Sequence, residues 1–115
     1  MATSWNLTTV SNNNQLYYNF SSQNRLILAG RDAGSNEELV KNYMKPGDLY
    51  FHPEFQGSPH CIIKTEKNFA TSEEKIEASI FVASFCKAWE AKISSLDVYS
   101  VLPEPEIVLV EQQNF

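Results

Sequence analysis

Short runs of strand-forming residues alternate along the chain with two longer segments that have helical spacing. Six runs are rich in apolar, β-branched or aromatic residues and are bounded by turn-forming residues, which predicts strands. The predicted strands cover residues 16–20, 25–29, 48–52, 60–64, 96–101 and 106–111.

Two capping boxes predict where the helices begin. Ser35 with Glu38, and Thr71 with Glu74, have the spacing in which a hydroxyl and a carboxylate cap the first helical turn. The first helix should end at the Lys-Pro-Gly sequence of residues 45–47. The second should continue to about residue 93, with an apolar arc that covers more than half of its circumference and with Phe81 near its polar side.

The order of these elements is ββαββαββ, which predicts an α+β fold. We expect a single mixed β-sheet of about six strands with one short and one long helix. Residues 1–15 are expected to form a flexible N-terminal lead-in, because residues 11–14 are polar (Ser-Asn-Asn-Asn). Residues 16–115 are expected to form the single domain.

The connection between the second and third predicted strands matters for function. It contains a helix and is long enough for a right-handed crossover between parallel strands. The carboxyl ends of both strands would then meet at one sheet edge, together with residues 30–32, the Ser35 helix N-terminus, His52 and residues 57–60. Ligands tend to bind at such strand ends, and free amides at a helix N-terminus suit a phosphate.

Each of these residues also has a purely structural interpretation. Gly30 and Gly57 could only permit turns, Arg31 and Asp32 could form a local ion pair, and the two histidines could be half-buried strand-end residues. For each residue by itself the structural interpretation is preferred. The convergence of all of them at one edge favours a functional site.

Composition and charge narrow the possible classes of function. The formal net charge of −5 argues against strong non-specific nucleic-acid binding, which needs a cationic surface. No apolar run approaches the about 18 residues of a membrane span, and the first residues do not look like a signal peptide, so a cytoplasmic protein without membrane contact is expected. Cys61 and Cys86 lie in apolar runs and are expected to be small buried hydrophobic residues.

Several blocks of residues, in order and at near-constant spacing between residues 17 and 101, resemble the NFACT-R domain, the RNA-binding domain of the NEMF, FbpA/RqcH and Caliban family. The blocks are residues 21–32, 36–37, 40–41, 46–52, 57–58, 62–64, 77–78, 83–84, 88–92 and 98–99. The sequence departs from the family pattern at residues 103–106 (Pro-Glu-Pro-Glu), where a Lys- and Gly-containing stretch is usual, and at Pro59. The family's N-terminal domain and coiled coil are not in the sequence, so a stand-alone domain or a fragment is expected.

The resemblance implies an RNA-binding module, with tRNA or rRNA and the large ribosomal subunit as partners, in quality control of stalled translation. It implies no catalytic reaction and no cofactor. The positions that match the family pattern are Gly30, Arg31, Asp32, Asn36, Asp48, His52, Gly57 and Ser58.

The chemistry of neighbouring residues extends this candidate nucleic-acid-binding set. Lys41, Lys45 and Lys64 could contact phosphate together with Arg31, and His60 belongs to the same predicted edge. An aromatic ring could stack on an unpaired base, and the candidates are Tyr50, Phe51 and Phe55.

Two other classes of function remain open at this point. An acidic adaptor could dock on a ribosomal or other basic protein without touching RNA, with Phe81 as a candidate contact. A nucleic-acid-processing enzyme could use Asp32, Asp48, His52 and His60, but the sequence has no second carboxylate at motif spacing, no nucleophile elbow and no phosphate-binding loop. We therefore expect a binding module and not an enzyme, with no bound metal.

Overall fold

One seven-stranded sheet crosses the molecule and carries helices on both faces. The computed structural model describes residues 6–10, 14–65, 69–101 and 106–112. The strands are β1 (Asn6–Thr9), β2 (Gln15–Phe20), β3 (Leu26–Ala29), β4 (Leu49–Pro53), β5 (Cys61–Ile63), β6 (Ser95–Val101) and β7 (Glu106–Glu111). The helices are α1 (Ala33–Glu38), continued by a π-helical turn (Leu39–Tyr43), and α2 (Ser72–Ala83), followed by a 3-10 turn (Lys87–Trp89).

The strand order is β1-β2-β3-β5-β4-β6-β7, and every neighbouring pair is antiparallel. The predicted α+β fold with a single sheet is confirmed, but the sheet is not mixed. Strands β3 and β4 do run in the same direction, as the crossover predicted, yet they are not neighbours. Strand β5 folds back from β4 and occupies the place between them, because it can hydrogen-bond to both in antiparallel fashion.

The seventh strand is β1, within the segment expected as a lead-in. It pairs with β2 over four residues. Its sequence Asn-Leu-Thr-Thr has only one strongly apolar residue, so hydrophobic alternation gives little signal for it. Residues 11–13, which were also expected to be flexible, lie outside the described part of the chain.

The two faces of the sheet bury two separate apolar clusters. Helix α2 covers one face, where Phe51, Cys61, Val82 and Val98 are completely buried. On the other face Leu39, from the π-helical turn that continues α1, packs against the residues that β2, β3 and β5 direct to that side, which are Leu16, Leu28 and Ile62. Cys61 and Cys86 are both buried and free, as expected.

Helix α2 is about ten residues shorter than predicted. It ends at Ala83, where the Trp89 indole donates a hydrogen bond to the carbonyl oxygen of Ala83 at 2.7 Å, and the chain turns into the 3-10 segment. The apolar arc seen in the sequence therefore combines two elements that pack on the same face. Phe81 lies inside this core with 3% of its surface exposed, so its predicted place on the polar side is wrong; Ile76 is the exposed residue, at 49%.

The predicted capping box of α2 is present, and its carboxylate is also the centre of a buried polar network. Thr71 caps the helix, and Glu74 accepts from the Thr71 amide at 3.0 Å. The Glu74 carboxylate, which is completely buried, also accepts from the Ser21 hydroxyl at 2.5 Å and from the Arg25 guanidinium at 2.6 Å. This network fastens the β2–β3 turn to the start of α2.

Burial by itself raises the pKa of Glu74, but the hydrogen bonds from Ser21 and Thr71 and the Arg25 charge outweigh it and lower the pKa below its ordinary value of 4.5. A lowered folded-state pKa means that the unfolded chain binds the proton more tightly. The stabilisation is therefore fully present above about pH 4.5 and is lost as the pH falls through the folded-state pKa.

Among the described residues, no helix is both long enough and apolar enough to cross a membrane.

Replacing Glu74 with Gln should lower the free energy of unfolding by about 2–4 kcal/mol, because Arg25 loses a buried carboxylate partner. Urea unfolding followed by circular dichroism would measure this loss. The matched control is Glu73→Gln, one residue earlier and exposed, which should cost less than about 1 kcal/mol. Equal losses in the two variants would contradict the role of the buried network.

Candidate nucleic-acid interface

The loop between β3 and α1 is held by a reciprocal cap formed by Asp32 and Ser35. The Asp32 carboxylate accepts from the Ser35 amide at 2.9 Å, and the Ser35 hydroxyl accepts from the backbone amides of Arg31 and Asp32 at 2.7 and 2.9 Å. The Ser35 amide and hydroxyl both donate to the Asp32 carboxylate, and these two bonds, with a smaller contribution from the Arg31 charge, lower the pKa of Asp32 against the opposing effect of burial.

This arrangement corrects two predictions. The N-cap of α1 is Asp32 and not Ser35, which is the third helical residue. The sequence pattern fitted either residue, because serine and aspartate both cap helices and both can accept from an amide three positions away. Since the Asp32 carboxylate already occupies the N-terminus of α1, that helix end is not an open phosphate site.

The end of β3, helix α1 and the start of β5 approach each other very closely, at Gly30, Asn36 and His60. The Gly30 amide donates to the His60 carbonyl oxygen at 2.8 Å, and the His60 amide donates to the Asn36 side-chain oxygen at 3.0 Å. An added Cβ at Gly30 would lie 1.7 Å from that oxygen and 2.9 Å from the Asn36 Cα. Gly30 and Asn36 are therefore structural residues of this edge, which fix α1 against the start of β5.

A cluster of three rings lies where β4 and the residue before β5 meet. The imidazoles of His52 and His60 stack with centroids 4.9 Å apart, and the Tyr50 ring is 5.4 Å from that of His60. His52 Nδ1 donates to the Pro59 carbonyl oxygen at 3.2 Å. The Tyr50 hydroxyl hydrogen-bonds to His60 Nδ1, and burial raises the pKa of this hydroxyl to about 12, so it keeps its proton at pH 7.

Burial, and secondarily the neighbouring His52, lowers the pKa of His60 below its ordinary value of 6.5. His60 is therefore a neutral ring at pH 7. A neutral imidazole can stack and form hydrogen bonds, but it does not supply positive charge.

Tyr17 and Phe85 form a second ring pair, from β2 and from the turn after α2. Their centroids are 3.9 Å apart and their planes differ by 4°. Both rings are half-buried and face the same cavity as the imidazoles. The sequence indicates neither ring as a site residue. Residue 85 has the spacing of a continuous helix, and nothing in the local pattern links residue 17 to residue 85.

These groups surround a cavity of about 970 Å³ that is open to solvent at the carboxyl ends of β3 and β4. That volume is near the upper end of the about 300–1,000 Å³ typical of ligand pockets. Nine of the eleven predicted site residues line it, namely Gly30, Arg31, Asp32, Asn36, Lys41, His52, Gly57, Ser58 and His60. We call this cavity the edge pocket.

The charges around the edge pocket are mixed, with cations on its rim. Lys41 pairs with Glu37 at 2.5 Å in an exposed i, i+4 ion pair, which raises the pKa of Lys41 and lowers that of Glu37. The Arg31 guanidinium hydrogen-bonds to the Gln15 side chain, which leaves its charge unneutralised by that contact. Lys87, exposed at the 3-10 turn, is a third rim cation that sequence analysis did not select.

Two predicted residues, Asp48 and Lys64, lie outside the edge pocket. They form an ion pair beside the beginning of β4 and the end of β5, at the end of these strands that lies away from the edge pocket. Lys64 also donates to the Tyr43 carbonyl oxygen at 2.6 Å. The Asp48 side chain is completely buried in this pair and accepts from the Lys45 amide at 2.9 Å. The structure therefore separates these two residues from the other nine candidates. The sequence does not show this separation, because the two ends of a short strand are only a few residues apart in it.

The three residues predicted to stack on a base differ in how far they are buried. Phe51 is completely buried in the α2-side core and cannot contact a base, and Phe55 packs against the same core. Tyr50 is half-buried and supports His60. Ser58 is buried, with its hydroxyl against the Phe55 carbonyl oxygen and 3.3 Å from Cys86 Sγ. Among the described residues, no group of three His, Cys, Asp or Glu side chains is arranged to hold a metal ion.

Replacing Gly30 with Ala should lower the free energy of unfolding by about 1–3 kcal/mol, because the new methyl group collides with Asn36 and displaces its hydrogen bond to His60. Urea unfolding would measure the change. Gly34→Ala is the matched control inside α1, where the methyl group lies 2.9 Å from the end of the flexible Asn14 side chain and 3.7 Å from the Asp32 carboxylate, and helix propensity improves. A similar loss in both variants would refute the close-approach argument.

The His60 Cε1 proton, followed by NMR, should titrate with a midpoint below 6.5, because burial disfavours the charged ring. A lowered pKa means that the contribution of His60 to stability is present above pH 6.5 and is lost as the pH falls through the folded-state pKa. A Tyr50 hydroxyl that donates to Nδ1 favours the neutral ring, so with this direction of the bond Tyr50→Phe should raise the midpoint. A midpoint at or above 6.5 in the parent protein would contradict this account.

Comparison with known proteins agrees with this architecture. The sequence model of the NFACT protein RNA binding domain matches residues 15–105. The chain is 37% identical over 79 residues to the archaeal Rqc2 homologue aRqcH of Methanocaldococcus jannaschii, covering 69% of this chain and 12% of that protein. It is 40% identical over 84 residues to the ribosome quality control complex subunit NEMF homologue of Drosophila melanogaster, covering 69% of this chain and 8% of that protein.

The human ribosome quality control complex subunit NEMF is 36% identical over 74 residues, covering 64% of this chain and 7% of that protein. The chain thus spans only about a tenth of the length of these relatives. Among solved structures, the C-terminal part of the fibronectin/fibrinogen-binding protein from Streptococcus suis has a TM-score of 0.66 at 19% identity, over 84% of this chain and 46% of that one, which is a likeness of fold.

The family match covers most of the chain. It includes the three-ring cluster, the Tyr17–Phe85 pair and every residue of the edge pocket. This chain belongs to the family of the NFACT protein RNA binding domain.

Proposed function

We propose that this domain binds RNA at the edge pocket and recognises nucleotides that are not base-paired. The observation that carries the proposal is the convergence, in one open cavity of a chain of this family, of aromatic and imidazole rings with cations on the rim. Rings can stack on a base, and cations can contact the phosphates on either side of it.

The charge balance favours unpaired nucleotides over a duplex. Recognition of a duplex depends largely on many phosphate contacts, and this chain has a net charge of −5. The rim offers three cations, and one of them, Lys41, is already paired with Glu37. With few phosphate contacts available, most of the affinity has to come from stacking, which requires a base that is free to leave its helix.

The rim cations have different roles in this proposal. Arg31 and Lys87 are the principal phosphate contacts, because neither is held in an ion pair with a described carboxylate. Lys41 contributes less, since binding a phosphate competes with Glu37. The rings of His52, His60, Tyr17 and Phe85 provide the surface for the base.

The names of two relatives support a proposal about the cellular context of this activity. Two of them carry the name of ribosome quality control complex subunits. By analogy we propose that this domain acts in the cytoplasm on tRNA or rRNA of a stalled ribosome, in contact with the large subunit. Its role is binding, without a catalytic reaction of its own.

Arg31→Ala and Lys87→Ala should each weaken binding of a fluorescently labelled tRNA, and should each reduce the slope of log K against log salt concentration by about 0.7–0.9. Fluorescence anisotropy at several salt concentrations would measure both quantities. Lys45→Ala is the matched control, because Lys45 is exposed and lies just before the beginning of β4, away from the edge pocket.

A single-stranded oligonucleotide should compete for the site, whereas a duplex of the same length should compete poorly. An equal loss in the Lys45 variant would show that binding depends on overall charge and not on the edge pocket. Binding of neither tRNA nor oligonucleotide at low salt would refute the proposal.

A further inference from the structure

Strand β7 is the outermost strand on one side of the sheet, away from the edge pocket. It lies beyond the region that the family model matches. That match ends at residue 105, and β7 covers Glu106–Glu111 with the sequence Glu-Ile-Val-Leu-Val-Glu. One side of β7 pairs with β6 along all six residues. On its other side no strand follows among the described residues. Within the described part of the chain its outer backbone groups have no strand partner.

The outer strand also leaves apolar side chains uncovered. Ile107 and Leu109 are 57% and 59% exposed, whereas Val110, on the alternate face, is 2% exposed in the core under α2. By the strand register, Ile107 and Leu109 lie beside Tyr99 and Asp97 on the sheet face that α1 covers elsewhere. At β6 and β7 this face is open in the described part of the chain.

The two edges of the sheet differ in how they discourage pairing. Natural edge strands carry lysine, proline, a bulge or a short polar sequence, all of which discourage strand addition. The β1 edge is four residues long and mostly polar. The β7 edge has four consecutive apolar residues without lysine, proline or bulge. It has the features of a strand that accepts another strand.

Carboxylates lie beside the apolar residues of this edge. Asp97 opposes Leu109 across the β6–β7 ladder, and Glu111 follows on the same face of β7. Glu54 lies beside them, with its amide bonded to the Asp97 carbonyl oxygen at 2.7 Å and its carboxylate bonded to the Tyr99 hydroxyl. The sequence contains no lysine or arginine after Lys92, so no cation of β6 or β7 offsets these charges.

We propose that β7 pairs with an extended segment of a partner protein that has alternating apolar residues flanked by Lys or Arg. The added strand would extend the sheet, its apolar residues would cover Ile107 and Leu109, and its basic residues would meet the carboxylates beside Leu109. A second copy of this chain fits less well, because its own β6 and β7 would bring more carboxylates and no lysine or arginine to the contact. A nucleic acid is disfavoured because the carboxylates repel phosphate.

The test uses a labelled peptide with a central Thr-Val-Thr-Val-Thr sequence flanked by pairs of lysines. Fluorescence anisotropy should show binding that weakens about tenfold in Leu109→Lys, because that variant adds like charge to the contact and removes apolar surface. The matched control is Leu7→Lys on the opposite edge, where Leu7 is 46% exposed, and it should leave the affinity unchanged. Arg31→Ala should also leave it unchanged, because Arg31 belongs to the edge pocket. Amide NMR shifts should be concentrated in residues 106–111.

Two further probes separate strand addition from simple charge attraction. An oligolysine of equal charge, and the same peptide with alternate backbone amides methylated, should both bind at least about tenfold more weakly. Equal binding of either probe would overturn the proposal. A concentration-dependent dimer that Leu109→Lys dissolves would also overturn it, by assigning the edge to a second copy of the chain.

Discussion

The position of β5 between β3 and β4 is the constraint on which the rest of this structure depends. Two strands that run in the same direction cannot both pair with β5 in antiparallel fashion unless β5 lies between them. Their carboxyl ends and the beginning of β5 then share one edge of the sheet. The backbone bond between Gly30 and His60 and the Asn36 side chain fix this edge to α1. The edge pocket exists because these three chain segments meet there.

Much of this arrangement can be read from the sequence, because it depends on short-range patterns. Alternating and continuous apolar runs give six of the seven strands, and the Thr71–Glu74 box gives the start of α2. The crossover argument places residues 30–32, His52 and His60 together without knowledge of the strand order, since only the direction of β3 and β4 matters. Nine of the eleven candidate residues accordingly line one cavity.

What the sequence could not supply depends on tertiary contacts. The end of α2 at Ala83 is set by the Trp89 indole and by packing of the following turn, so helical periodicity continues past it. Tyr17 and Phe85 meet because β2 and the end of α2 are brought together across the sheet. Asp48 and Lys64 neutralise each other at the far end of β4 and β5, which local sequence cannot distinguish from a site contact. Residues chosen for their chemical type thus include several, such as Gly30 and Asn36, whose demonstrable role is to hold the backbone.

The two cysteines lead to a separate conclusion about oxidation. Cys61 lies in the middle of the sheet with no exposed surface, and burial raises the pKa of its thiol, so the reactive thiolate is suppressed. Cys86 is also buried and unpaired, 3.3 Å from the Ser58 hydroxyl. No covalent cross-link therefore contributes to the folded state through either residue. A reducing environment therefore has no disulfide to break in this fold, and the domain can keep its structure where thiols stay reduced.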